Sequence, residues 1–167
     1  MSIIRPLVTI TSAWADAITN WINARTPVQK LSTVATSTTT TTEAKDTQVG
    51  DLTLTVTDAS AWYRITYEAR LTTDAASALV TIRVRDGGSS SPTNTSALIA
   101  QGSSLLSVAG GPGQVTQHAQ SLRQFTVGTH NLAGFYIREA GTGNVGLLAL
   151  DGGSATLSRF LIVEQIT

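Results

Sequence analysis

At 167 residues, with 11 basic and 11 acidic side chains, the chain is small and carries no formal net charge. Because no run of basic residues is interleaved with aromatic ones, the sequence predicts neither a nucleic-acid partner nor attraction to an anionic membrane. The absence of cysteine excludes disulfides and thiolate chemistry, so stability must come from packing or from association of subunits. No apolar stretch reaches the length of about 18 residues that a membrane-spanning helix requires.

The chain begins with an extended lead-in, Ser2 to Thr11, followed by a predicted amphipathic helix from Ala13 to Arg25. Ser12 can cap this helix, and Thr26-Pro27 ends it. One face carries an apolar stripe at helical spacing, made of Trp14, Ala17, Ile18, Trp21 and Ile22. So short a helix cannot bury two indoles against itself, so the stripe must contact the rest of the protein or another chain.

We interpret residues 1–33 as an N-terminal arm, in which Val28 to Thr33 is a linker, and residues 34–167 as a β-head. The threonine-rich tract from Thr36 to Thr42 is predicted to be the first strand, because threonine favours strands and the tract lacks proline. The main alternative for this tract is a disordered stalk.

Apolar and polar side chains then alternate with period two, which predicts strands with one buried face. The alternation is clearest in the segments Leu52–Val56, Tyr63–Leu71 and Val80–Arg85. Further strands are predicted at Ala97–Ala100, Leu105–Val108, Val115–Phe125, His130–Arg138, Val145–Leu150 and Arg159–Ile166. Glycine-rich turns separate them, so the expected fold is mainly β, an antiparallel β-sandwich of the jelly-roll kind preceded by the short helix.

The last strand is apolar at consecutive positions, Phe160 to Val163. This pattern predicts burial on both faces, and in a small sandwich the second face would be covered by another subunit.

Several stretches of the chain resemble small β-head proteins of bacteriophage structural modules, of the kind labelled minor tail, head-fibre or capsid decoration proteins. The resemblance covers most of residues 34–166 and rests on Trp62–Arg70, Ile82–Gly88, Ser91–Ser96, the Gly110–Gly113 turn and Gly128–Leu132. The segments Ile10–Trp14 and Ala17–Asn23 are similar to the docking helices that open many phage appendage proteins. The resemblance implies a homotrimeric jelly roll of the tumour-necrosis-factor type, without enzymatic activity, fixed to a virion after assembly in the host bacterial cytoplasm.

Candidate catalytic and metal-binding residues do not combine into a motif. His118 and His130 lack metal-ligand spacing, and no sequence motif links either to a serine nucleophile or a carboxylate. Asp74, Asp86 and Asp151 lie in or beside predicted loops, where calcium is an alternative to a turn role. We therefore predict no enzyme, cofactor or metal site.

Charged and aromatic side chains on the predicted outer faces leave more than one interpretation open. The arginines concerned are Arg64, Arg70, Arg83 and Arg85, with Glu68 among them. They are assigned to cross-strand ion pairs or a subunit interface rather than a phosphate site. Trp62 is either an aromatic at the edge of the core or a platform for a sugar ring.

The sequence thus favours a trimeric capsid decoration or head-fibre protein of a tailed bacteriophage, docked on the major capsid protein or a tail protein. Docking is assigned to Trp14, Ile18, Trp21 and Ile22, and the trimer interface to Tyr67, Phe160 and Ile162. The alternatives are a minor tail protein or tail-tip fibre head, and a carbohydrate-binding module that recognises a glycan of the host surface.

Overall fold

A computed structural model describes residues 27–32, 34, 36–38, 42–75, 77–106, 113–148 and 159–166, and the regular structure of these residues consists of strands. The lead-in and the predicted docking helix lie outside these residues. Within them, no helix is long and apolar enough to cross a membrane. The strands are β1 Val28–Ser32, β2 Thr36–Thr38, β3 Ala44–Lys45, β4 Leu52–Val56, β5 Tyr63–Thr73, β6 Ala78–Asp86, β7 Ala97–Leu106, β8 Gly113–Arg123, β9 Gly128–Ala140, β10 Val145–Leu148 and β11 Arg159–Gln165.

The strands form two antiparallel sheets. Sheet A has β5 at its centre, with β8 along one edge and both β11 and β10 along the other; β1 continues the sheet beyond β11, and β2 beyond β10. Sheet B has the order β3–β9–β6–β7, and β4 pairs with β9 beside β3. The mainly β, antiparallel sandwich expected from the sequence is therefore confirmed.

The core lies between the two sheets and follows the predicted alternation. In β4 and β5 every second side chain is buried, including Leu54 and Ile65, while the intervening side chains reach the surface. At one side the sandwich closes through contact between β7 and β8. There a side chain at Gly102 would collide with the carbonyl oxygen of His118, so the close approach requires glycine.

Two sequence predictions are corrected by the strand pairing. Val28–Thr33 is not a linker, because Val28–Ser32 pairs with β11 over its whole length and therefore belongs to the head. The segments Ala97–Ala100 and Leu105–Val108 are not two strands, because Ala97–Leu106 runs continuously as β7. Neither β1 nor β7 has a clear period-two pattern, which is why the sequence analysis did not predict them as they are.

Candidate interaction surface

The two outer faces of the sandwich differ in how they are covered. On the side of sheet A that points away from the core, the described side chains include six large apolar ones: Leu31, Trp62, Leu122, Phe160, Ile162 and Ile166. Leu31, Leu122 and Ile166 are 51 %, 55 % and 43 % exposed, and Phe160 and Ile162 are half-buried. We call this surface the outer face of sheet A.

The strand register explains why Phe160 and Ile162 lie there. They alternate with Leu161 and Val163, whose side chains are buried between the sheets. The last strand is therefore apolar on both faces, as the sequence indicates, and the described part of the chain leaves its outer side half-exposed.

Polar side chains on the outer face of sheet A form cross-strand pairs along β5. The Arg64 Nε donates to Glu164 Oε2 at 2.7 Å, and Gln120 Nε2 donates to Thr66 Oγ1 at 3.2 Å. The hydrogen bond from Arg64 to Glu164 raises the pKa of the guanidinium. These polar groups therefore satisfy one another beside the apolar residues of the face.

A shallow cavity of about 340 Å³ lies at one end of this face, and we call it the notch. It is lined by Arg64, Gln120, Ser121, Leu122 and Ile166. Trp62, 40 % exposed, stands beside it, because the Ile166 amide donates to the Trp62 carbonyl oxygen at 2.9 Å.

The outer face of sheet B is covered by the chain itself. Ala133 and Phe135 point outward from β9 and are nevertheless 0 % and 2 % exposed. The Glu43 carboxylate lies beside them and accepts hydrogen bonds from Arg83 and Arg85. Burial opposes ionisation of Glu43, but the hydrogen bonds and positive charge of these arginines outweigh it and lower its pKa.

The loop from β6 to β7 completes this cover. Arg85 donates to the Ser96 carbonyl oxygen at 2.6 Å, and Lys45 Nζ donates to Ser91 Oγ at 2.8 Å. Pro92, between them in the loop, is buried. Sheet B thus has a small second core outside the sandwich, whereas sheet A has none over its apolar residues in the part of the chain that the structure describes.

The placement of the arginines corrects one expectation. Arg64 and Arg70 lie on the outer face of sheet A, while Arg83 and Arg85 lie on that of sheet B. β5 and β6 carry similar sequences but belong to different sheets, so the four arginines do not form one surface. The expected cross-strand ion pair is present for Arg64 with Glu164.

Tyr67 cannot belong to a subunit interface as the sequence analysis assigned it. Its side chain is 0 % exposed inside the sandwich, and its hydroxyl donates to Asp46 Oδ2 at 2.9 Å. Burial, followed by the nearby Asp46 charge, raises the pKa of Tyr67 well above its usual value. The assignment failed because alternation shows only that Tyr67 lies on the buried side of β5. It does not show whether that side is buried inside the subunit or between subunits.

Sequence reasoning also missed the partner of this tyrosine. Arg159 Nε and one terminal nitrogen donate to the two Asp46 oxygens at 2.8 and 2.9 Å, and both residues are 0 % exposed. The sequence does contain a sign that Arg159 is buried, because it alternates in step with Leu161 and Val163, whose side chains point inward. Only the fold brings Asp46, 113 positions away, to meet it.

His130 lies in a cluster that resembles a hydrolase site in composition. Its Nδ1 lies 2.7 Å from Asp86 Oδ2, and its Nε2 lies 3.0 Å from the Thr126 carbonyl oxygen and 3.4 Å from Thr126 Oγ1. Because a carbonyl oxygen only accepts, Nε2 donates in the shorter contact and has no lone pair to take a proton from the hydroxyl. The cluster therefore ties β6 and β9 to the loop before β9 and does not present a general base.

Two of the loop carboxylates considered for calcium, Asp74 and Asp86, are engaged within the protein. Asp74 accepts hydrogen bonds from the amide and side chain of Asn144, both at 2.6 Å. Asp86 accepts from the Gly88 amide through Oδ1, and its Oδ2 lies 2.7 Å from His130 Nδ1. Across the residues that the structure describes, no group of three metal-ligating side chains is present. Asp151 lies outside those residues, as do Trp14, Ile18, Trp21 and Ile22.

Comparison with known proteins defines the class of fold. No family model and no curated protein matches the sequence. Among solved structures, the chain is similar to the Eiger TNF from S. frugiperda, with a TM-score of 0.55 and 7 % sequence identity. The match covers 86 % of this chain and 94 % of that chain. The chain is therefore mainly β, a sandwich consistent with a jelly roll of the TNF-like kind, and the identity is too low to carry more than the fold.

Proposed function

We propose that the chain is a structural virion protein of a tailed bacteriophage, a capsid decoration or head-fibre protein whose β-head forms a homotrimer. Its role is binding and cementing rather than catalysis. The observation that supports self-association is the contrast between the outer faces in the described part of the chain. There sheet B is covered by its own loop, while Phe160, Ile162 and their neighbours on sheet A are half-exposed. Contiguous exposed apolar surface of this kind marks an interaction site.

The outer face of sheet A has the size that a stable interface needs. β5 contains 11 residues, and at 3.3 Å per residue its length is about 36 Å. Beside β5 and β8, one half of the sheet carries β11 and β1 and the other half carries β10 and β2. Either half is four strands wide, which at a spacing of 4.8 Å gives a width of about 19 Å. The resulting plan area of roughly 700 Å² approaches the contribution of about 800 Å² that one partner makes to a standard interface.

The virion assignment depends on the sequence resemblance described above. Two of the stretches that carry it are Trp62–Arg70, which covers most of β5 and the residue before it, and Ile82–Gly88, which covers the second half of β6 and the turn after it. In this proposal the N-terminal arm docks through Trp14, Ile18, Trp21 and Ile22 to the major capsid protein or a tail protein. A minor tail protein or tail-tip fibre head is the alternative location.

A carbohydrate-binding role for the head is a second candidate. Trp62 is 40 % exposed on the same face as Arg64, two residues away in the chain. An indole near a polar side chain is suited to stacking on a sugar ring. In this reading the ligand is a glycan of the host surface. Loss of binding to host polysaccharide in a Trp62→Ala variant that remains folded would support it.

Light scattering after gel filtration tests the trimer. We expect three chain masses for the unaltered protein. An Ile162→Asp variant should dissociate to monomers, because its charge would be desolvated in the interface. Leu105→Asp is the matched control, since Leu105 is 63 % exposed on sheet B, and it should remain trimeric. A monomer at all concentrations of the unaltered protein would contradict the proposal.

A further inference from the structure

The notch lies at the end of sheet A where β11 finishes, and exposed apolar side chains lie in and beside its polar lining. Leu122 and Ile166 line it, and Trp62 stands beside it, at 55 %, 43 % and 40 % exposure. Its polar lining is already satisfied in part, because Arg64 is bound to Glu164. Such a cavity fits an apolar occupant that brings few polar groups with it.

The N-terminal arm joins the head at this same end. β1 and β11 are antiparallel, with Val28 opposite Val163 and Ser32 opposite Arg159. Moving from Val28 toward the N-terminus therefore leads in the direction of Glu164 and Ile166. The arm leaves the edge of sheet A level with the notch.

The arm is long enough to cross the sheet to the notch. With strands about 4.8 Å apart, the strands that line the notch, β5 and β8, lie about 10 and 14 Å from β1. In a helix rising 1.5 Å per residue, Trp21 would lie about 9 Å and Ile18 about 14 Å from Pro27. A helix lying across the strands would bring both side chains of the stripe over the notch.

We propose that in the free protein the apolar stripe of the arm packs into the notch of its own head, and that docking to a particle displaces it. The inference builds on the proposed docking role of the arm and states how that role is regulated. Each indole can remove about 200 Å² from water, so an undocked stripe would otherwise be a strong aggregation surface. The Arg64 guanidinium at the notch is also a favourable neighbour for an indole face.

Cysteine chemistry can test this contact cleanly, because the chain has no cysteine of its own. In the full-length Ile18→Cys/Leu122→Cys variant we expect mild oxidation to form a disulfide within one chain. The matched control is Ile18→Cys/Leu105→Cys, whose second thiol lies on the opposite face and should stay reduced. A disulfide between chains would show that the arm occupies the notch of a neighbour, and would overturn the proposal.

Thiol labelling of a Leu122→Cys variant supplies the second measurement. With the arm intact we expect slow labelling that does not depend on protein concentration, and at least a tenfold increase when Trp21→Asp is added. Leu105→Cys should label at the same rate in both backgrounds. Fast labelling with the intact arm, or protection that Trp21→Asp does not relieve, would overturn the proposal. Since trimer mass is measured separately, protection by another subunit leaves the proposed function standing while this inference fails.

Discussion

Asp46 and Arg159 form an ion pair enclosed by the chain itself, since both side chains are 0 % exposed. The carboxylate also accepts from Tyr67 and from the amides of Gln48 and Val49, so its oxygens are well satisfied. Such a pair need not add net stability compared with apolar residues, but removal of one partner leaves an uncompensated buried charge. The pair links the loop after β3 to the start of β11.

We expect Asp46→Asn to lower the free energy of unfolding by about 3 to 5 kcal/mol. Glu164→Gln is the matched control, because it breaks an ion pair with the half-exposed Arg64, and such pairs contribute about 1 kcal/mol or less. Urea denaturation followed by circular dichroism measures both. Equal losses in the two variants would show that burial does not determine the cost.

A second residue-scale prediction concerns Gly134. A Cβ at this position would lie 2.5 to 2.9 Å from carbons of the Tyr67 ring, closer than packed atoms approach. We expect Gly134→Ala to destabilise the protein by about 1 to 3 kcal/mol through overpacking. On a Tyr67→Leu background the same substitution should cost less than half as much. An unchanged cost there would place the strain elsewhere than at the ring.

At the scale of elements, the cover of sheet B depends on Glu43, which precedes β3. Its carboxylate lies 2.8 Å from an Arg83 nitrogen and 2.5 Å from the Arg85 Nε, and its side chain is 6 % exposed. The arginines come from β6, so this one carboxylate joins two elements of the sheet. The reciprocal effect, led by the hydrogen bond to Glu43, raises the pKa of Arg85.

The lowered pKa of Glu43 predicts acid sensitivity. Its pKa in the folded state lies below the ordinary value of 4.5, so the unfolded state binds the proton more readily as the pH falls. The stability that Glu43 contributes is present above about pH 4.5 and is lost below it, as the pH falls through the folded-state pKa. We expect Glu43→Gln to reduce stability at neutral pH and to flatten the acid slope, measured by thermal unfolding between pH 3 and 7. Parallel slopes in the two proteins would contradict this assignment.

Strict alternation of apolar and polar residues allowed sequence analysis to recover β4, β5 and β6. β4, β5 and the turn after β6 follow local chemistry, because one face of each strand is buried and glycine supplies the turn. β1 was missed, since four of its five residues are exposed and its register comes from β11, more than 120 residues away. The grouping of Arg83 with Arg64 failed for the same reason, because sheet membership is a property of the whole chain.

At the scale of the whole molecule, the asymmetry between the two outer faces is the feature with most consequence for function. The sequence of the last strand indicated the apolar face of sheet A, because Phe160 and Ile162 are apolar and alternate with the inward-pointing Leu161 and Val163. The covered face of sheet B was not predictable, since it requires a loop to fold back over β9. The sequence therefore predicted that a second apolar surface exists, but the fold was needed to show that sheet A carries it and that the described residues leave it half-exposed.

The arm gives the prediction that separates docking from folding. Replacing Trp21 by Asp puts a charge into the apolar stripe, at a cost of several kcal/mol in any desolvated contact. The head should tolerate the change, because its core is made by the strands from Val28 onward and the notch lies on its surface. We expect Trp21→Asp to abolish incorporation into phage particles, measured by immunoblotting of purified virions, while the β-type circular dichroism spectrum and the trimer mass persist.

Asn20→Asp is the matched control, since Asn20 lies off the stripe, and it should be incorporated normally. Collapse of the β-signal in Trp21→Asp would mean that the helix belongs to the core of the head, and the docking role would have to be abandoned.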